Sequence, residues 1–145
     1  MGSMADPLYM LLKTAQKRVE RWIETEAAVE NVSAAQAALV LVLGRNDGAL
    51  IGDVAVALDV APSAMTGMAD RMARAGFIER RPDPRDGRSS RLFLTEKGWA
   101  IREKAVGLLD DLEKQMNQDL DPAAQAAVRT WLENMAARFG REDGL

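Results

Sequence analysis

Apolar residues recur at helical spacing over most of this chain. Leu8, Leu11, Leu12, Ala15, Val19, Trp22 and Ile23 fall three or four residues apart, which predicts one apolar stripe on a helix from Pro7 to about Glu30. Pro7 suits the first helical position, with Asp6 able to cap it. Ser33 and Gln36 have the spacing of a capping box, and the almost wholly apolar run Ala37 to Leu43 predicts a second helix buried on most sides. Gly44 predicts its end, and Arg45 to Gly48 a turn. Ala49 to Ile51 suits a very short strand, and Val54, Ala55 and Leu58 an inward face of a short third helix, Gly52 to Leu58.

Pro62 opens a fourth helix that runs to Arg74, with Gly76 as its C-terminal cap. Met65, Met68, Ala69 and Met72 share one face; Ser63, Thr66, Gly67, Asp70, Arg71 and Arg74 show on the other. The pattern then alternates. Phe77 to Arg81 and Arg91 to Leu94 predict two strands joined by the turn-rich PDPRDGRSS, Pro82 to Ser90. Thr95 caps a long fifth helix to about Leu120, striped by Ile101, Ala105, Leu108, Leu109, Leu112 and Met116. Asp121-Pro122 opens a sixth helix to about Phe139, with Ala124, Val128, Trp131, Leu132, Met135 and Phe139 on one side. The predicted class is mainly α with a small β-hairpin: a winged helix–turn–helix lobe plus further helices.

Charge sharpens this picture. The chain of 145 residues carries a net −3, yet Arg71 to Arg91 holds seven arginines against three acids and is net +4. Clustered arginines on a hairpin that follows a short helix suit a polyanion. Composition removes other chemistries. With no Cys and no His, there are no disulfides, no thiolate or imidazole catalysis, no zinc site of the usual ligand set and no cysteine-based peroxide sensing. No metal or cofactor is implied and no catalytic residue is assigned. Asp110-Asp111 and Glu142-Asp143 are sequence neighbours and point apart on a helix, so they read as solvated surface. No apolar run approaches the ~20 residues of a membrane span. The lack of Cys fits a cytoplasmic protein with no membrane partner. Met1 to Met4 read as a vector-derived extension, outside the fold.

The stretch Ser33 to Gly98 resembles MarR-type transcription regulators. The residues that carry the likeness are Ser33 and Gln36, Val54-Ala55 and Leu58, Asp70-Arg71, Ala75-Gly76-Phe77-Ile78, Arg80-Arg81 and the string DPRDGRSSRLFLTEKG from Asp83 to Gly98. The flanking helices match in length and order. Two positions depart from the family pattern: Ala61, where a capping Ser is frequent, and Gly67, where a longer polar side chain is common.

The resemblance implies a homodimer on double-stranded DNA at a pseudo-palindromic operator, with release by a small phenolic or anionic effector. It implies a helical dimerisation region at 5–32 and 121–145, a DNA-binding lobe at 33–98 and a long linking helix at 95–120. It places the fourth helix in the major groove and the wing in the minor groove. Ser63, Thr66 and Gly67 then face base edges, and Thr66 offers a methyl and a hydroxyl. Arg85 and Arg88 sit on the wing tip, where a narrow groove attracts guanidinium groups. Arg88 is the favoured groove reader, and Asp86 its organiser through an ion pair. Arg71, Arg74 and Arg91 suit phosphates. Arg80 and Arg81 alternate along a strand, so at most one of them faces DNA.

Trp22, Trp99, Trp131 and the methionines suit a ligand cleft or, more simply, core and dimer packing; no effector residue is assigned. The sequence therefore predicts a DNA-binding regulator, a repressor relieved by an effector. A winged helix kept as a protein-interaction module without DNA binding is the alternative. An enzyme has no nucleophile–base pair or phosphate loop to support it.

Overall fold

A computed structural model describes residues 5–29 and 31–140. Residues 1–4, Glu30 and the segment 141–145 with its Glu142-Asp143 pair lie outside the described residues. The elements run α1 (Leu8–Val29), α2 (Ala34–Arg45), β1 (Ala49–Leu50), α3 (Ile51–Ala57), α4 (Pro62–Arg74), β2 (Ile78–Pro82), β3 (Ser90–Leu94), α5 (Glu96–Asn117) and α6 (Pro122–Arg138). The chain divides into two compact units between Leu108 and Leu109, inside α5.

In the first unit the strands form one antiparallel sheet in the order β1-β3-β2. The sequence predicts the β2–β3 hairpin and the short strand separately; the structure adds β1 to the hairpin's free edge, pairing Ala49 with Leu92. The register Ile78↔Leu94 and Arg80↔Leu92 puts Ile78, Leu92 and Leu94 on one face, and all three are buried. That face meets Leu39 and Leu43 of α2, Val54 of α3 and Met65 and Met72 of α4, all essentially inaccessible to water. The methionines of α4 therefore belong to the core.

Local chemistry sets the helix ends. Ser33 Oγ accepts the Gln36 amide at 3.1 Å and Gln36 Oε1 accepts the Ser33 amide at 3.0 Å, the reciprocal capping box that the spacing predicts. Asp121 Oδ1 accepts the Ala124 amide at 2.7 Å. α4 ends in a Schellman motif: Gly76, at φ 83°, donates to Ala73, and Phe77 donates to Met72, each at 3.0 Å. The same closure ends α3, with Asp59 in the left-handed position at φ 51°, its amide bonded to Val56 and that of Val60 to Ala55. Two predicted ends move. Pro7 precedes α1 and its carbonyl accepts the amides of Met10 and Leu11, so it caps the helix instead of opening it. Gly44 lies within the last turn of α2. The Arg102 side chain lies across it where a Cβ would stand.

The Leu-Thr-Glu-Lys-Gly string fastens α5 to the end of α4. Thr95 Oγ1 donates to the Gly76 carbonyl at 2.6 Å and accepts the Gly98 amide at 3.1 Å. Lys97 Nζ donates to the Ala75 carbonyl at 2.9 Å and sits over the Phe77 ring. A side chain at Gly98 would run into the Phe77 carbonyl. Residues that read as a helix start thus also tie the start of α5 to the end of α4.

In the second unit, the end of α5 and α6 are joined at Leu120-Asp121, where Gln125 Nε2 donates to the Leu120 carbonyl at 2.9 Å. No residue of α6 is buried; Val128, Trp131, Leu132 and Phe139 are all exposed. In the first unit, Leu8, Tyr9, Met10 and Leu11 of α1 are exposed as well. Among the described residues no helix is long and apolar enough to cross a membrane, and no group of three or more acidic, Cys or His side chains is placed to hold a metal ion.

Candidate nucleic-acid interface

The face of α4 opposite its buried Met65, Ala69 and Met72 presents Ser63, Thr66, Arg71 and Arg74 to solvent. Its N-terminus has Ala61 at the cap in extended conformation, with no side-chain bond to the first amides. The Thr66 hydroxyl donates to the Pro62 carbonyl at 3.1 Å, which leaves its methyl and oxygen lone pairs facing out. Gly67 is half-buried because Arg71 folds back over it: a Cβ at Gly67 would stand 3.4 Å from Arg71 Nη1.

The wing is built around a buried carboxylate. Asp83 is 7% exposed; its amide donates to the Ser89 carbonyl at 2.9 Å, and its Oδ1 accepts Arg91 Nε at 3.0 Å. Arg91 Nη1 goes on to the Gly48 carbonyl at 2.8 Å, so the hairpin is tied to the turn before β1. Arg91, which the sequence offers as a phosphate contact, is partly exposed and ties the wing to that turn through these bonds. The ion pair expected of Asp86 is not formed; the residue makes backbone bonds within the tip instead. Its Oδ1 accepts the Arg88 backbone amide at 3.0 Å, its carbonyl accepts the Ser89 amide at 3.0 Å, and it joins no ion pair among the described residues. Arg85 and Arg88 project from this tip, both exposed.

The two arginines of β2 also hold carboxylates. Arg80 pairs with Asp70 of α4 and reaches Ser90 Oγ at 3.4 Å, which joins helix to hairpin. Arg81 pairs with Glu79 at 2.8 Å and stacks over Phe93, 4.3 Å from the ring centre. Sequence reasoning missed Asp83 and the Asp70–Arg80 link. No local pattern shows them: it is the strand register, with Pro82 opposite Ser90, that places Asp83 beside the strand that carries Arg91.

After this internal pairing, Arg71, Arg74, Arg85 and Arg88 are exposed with no carboxylate partner among the described residues. Two lie on α4 and two on the wing tip. Within the basic stretch the unpaired positive charge therefore lies on α4 and the wing tip, the arrangement that a duplex with two grooves would meet.

The sequence profile of the MarR family matches residues 30–89. The organic hydroperoxide resistance transcriptional regulator of Bacillus subtilis (strain 168) is 31% identical over 108 residues, 72% of this chain and 73% of that protein. The chain belongs to the MarR family. Among solved structures, a mutant of MarR from E. coli complexed with operator DNA is 25% identical, with a TM-score of 0.81 over 90% of this chain and 94% of that one. The structure of Bordetella bronchiseptica BpsR, described by its regulation of DNA binding by 6-hydroxynicotinic acid, is 22% identical with a TM-score of 0.79 over 89% and 98%; at that identity the likeness is one of fold. For a MarR-family regulator the paired and unpaired arginines now separate into scaffold and surface.

Proposed function

We propose that this MarR-family regulator is a homodimeric repressor that grips a pseudo-palindromic operator and leaves it when a small phenolic or anionic effector binds. The observation that carries this reading is the set of four unpaired, exposed arginines on α4 and the wing. In it, α4 enters the major groove with Ser63, Thr66 and Gly67 toward base edges. Arg88, with Arg85, enters the adjacent minor groove from a tip that Asp86 shapes through the backbone. Arg74, in the last turn of α4, neutralises a phosphate. Arg91 holds the wing in place.

The DNA-binding lobe is 33–98, the linking helix 95–120, and the dimerisation region 5–32 with 121–145. The exposed apolar residues at the start of α1 and along α6 support a second copy, because extended apolar patches rarely remain open in soluble monomers. E. coli MarR, complexed with operator DNA, supports the partner; BpsR and 6-hydroxynicotinic acid support the effector class. The deciding experiment incubates purified full-length protein with fragmented genomic DNA and sequences the bound fraction. A small set of fragments sharing an inverted repeat is the expected result. Fragments retained without sequence preference, or none retained, would move the protein-interaction reading to first place.

A further inference from the structure

On the DNA-binding reading above, we propose that Arg71 is a base reader of α4, taking a guanine in the major groove, and that Gly67 is what lets it do so. Three observations point the same way. The Arg71 guanidinium lies back along the helix over Gly67, at the distance where a Cβ would just touch Nη1. Helical side chains lean toward the N-terminus, and four residues span about 6 Å of helix, so a charge rooted in the third turn of α4 is delivered to the second. A longer residue at Gly67 would occupy that place. Next, the neighbouring carboxylate does not claim it: Asp70 is held by Arg80, and Arg71 is exposed and unpaired.

The third observation concerns what else that face can offer. Gly67 has no side chain, and the Thr66 hydroxyl donates its hydrogen bond to the Pro62 carbonyl. At the middle of the outward face, Arg71 is the group with a fork of donors. Guanine presents two adjacent acceptors, O6 and N7, to the major groove, and a guanidinium meets both at once. A phosphate contact needs no such reach toward the helix centre, and Arg74, one turn nearer the C-terminus, is better placed for it.

The test uses full-length protein and duplexes enriched by it from a random pool. Each guanine of the enriched site is replaced in turn by 7-deazaguanine, which lacks only the N7 acceptor. Wild type should lose several-fold in affinity at one position in each half-site, less than the roughly five- to 140-fold of a whole bidentate pair, because O6 still accepts. Arg71→Ala should lose the larger, whole-pair amount on the unmodified site and become indifferent to the replacement at that position. Arg88→Ala should stay sensitive there. A thermal melt of Arg71→Ala should match wild type, since the side chain is exposed. Two results would overturn the assignment: undiminished sensitivity to 7-deazaguanine in Arg71→Ala, or equal losses on enriched and random duplexes with a shallower salt slope, the mark of a phosphate contact. A pool that yields no enriched sequence would instead sink the DNA-binding reading beneath it, and this assignment with it.

Discussion

Seven arginines crowd one short stretch of this chain, and side-chain geometry divides them by task. Arg80, Arg81 and Arg91 each face a carboxylate; Arg85 and Arg88 project from the tip, and Arg71 and Arg74 from α4. The division is testable. Arg88→Ala should weaken a specific duplex more than a random one, by ~1–3 kcal/mol for a well-placed reading arginine. Arg74→Ala should weaken both alike and lower the salt slope by about one. Salt titrations of both duplexes for each variant check this, and equal losses for Arg88→Ala would make it a phosphate contact. Asp83 has the opposite profile, nearly buried and holding Arg91. Asp83→Ala strands that guanidinium, which is partly exposed, so the cost falls below that of a fully buried pair: about 1–3 kcal/mol in urea unfolding. DNA affinity should fall as well, because the wing loses its tie to Gly48. Unchanged stability in this variant would show that the ion pair does not hold the wing. Glu79 and Arg81 were readable as neighbours on one strand face; Asp83 was not, since a polar residue between two prolines reads simply as turn.

At the level of elements, the caps were legible because they depend on residues within one turn of each other. The Ser33–Gln36 box, the Asp121 cap and the Gly76 closure all stand as the spacing predicts. The same logic exposes a weak point. α4 starts at Ala61 with no side-chain acceptor for its first amides. Ala61→Ser should raise stability by ~1 kcal/mol, seen as a higher urea midpoint at unchanged slope. A midpoint that does not move would mean that those amides already find water or another partner. Gly44 was misread for a physical reason. A glycine after an apolar run usually marks a helix end, but here it makes room for a side chain of α5 more than fifty positions away, and no local pattern can show that.

At the level of the whole molecule, α6 and the first turns of α1 leave apolar side chains uncovered. Removal of Asp121 to Leu145 should turn a dimer into monomer, aggregate or unfolded chain, as read by light scattering; a truncated chain that remains dimeric and binds DNA normally would refute the proposed dimerisation region. Sensing chemistry follows from composition. The relative from Bacillus subtilis is named for organic hydroperoxide resistance, yet this chain has neither Cys nor His. Low peroxide, and a pH change from about 8 to 6, should therefore leave DNA affinity nearly constant, because the thiol and imidazole switches are missing. A reversible loss of binding at low peroxide would require another oxidisable group, and methionine is the candidate left.

The sequence by itself determined the order and type of the elements, their caps and the basic stretch, since each follows from periodicity, capping or charge within a few residues. Only the tertiary structure decided which charges remain free. Asp70 meets Arg80 across ten positions, Asp83 meets Arg91 across eight, and Arg91 meets Gly48 across 43; strand register and helix packing bring these groups together. It also decided which stripes are core. The apolar faces of α2 and α4 are buried, whereas those of α6 and the first turns of α1 are exposed, although all four carry apolar residues at helical spacing, because burial depends on what the rest of the fold supplies as a partner.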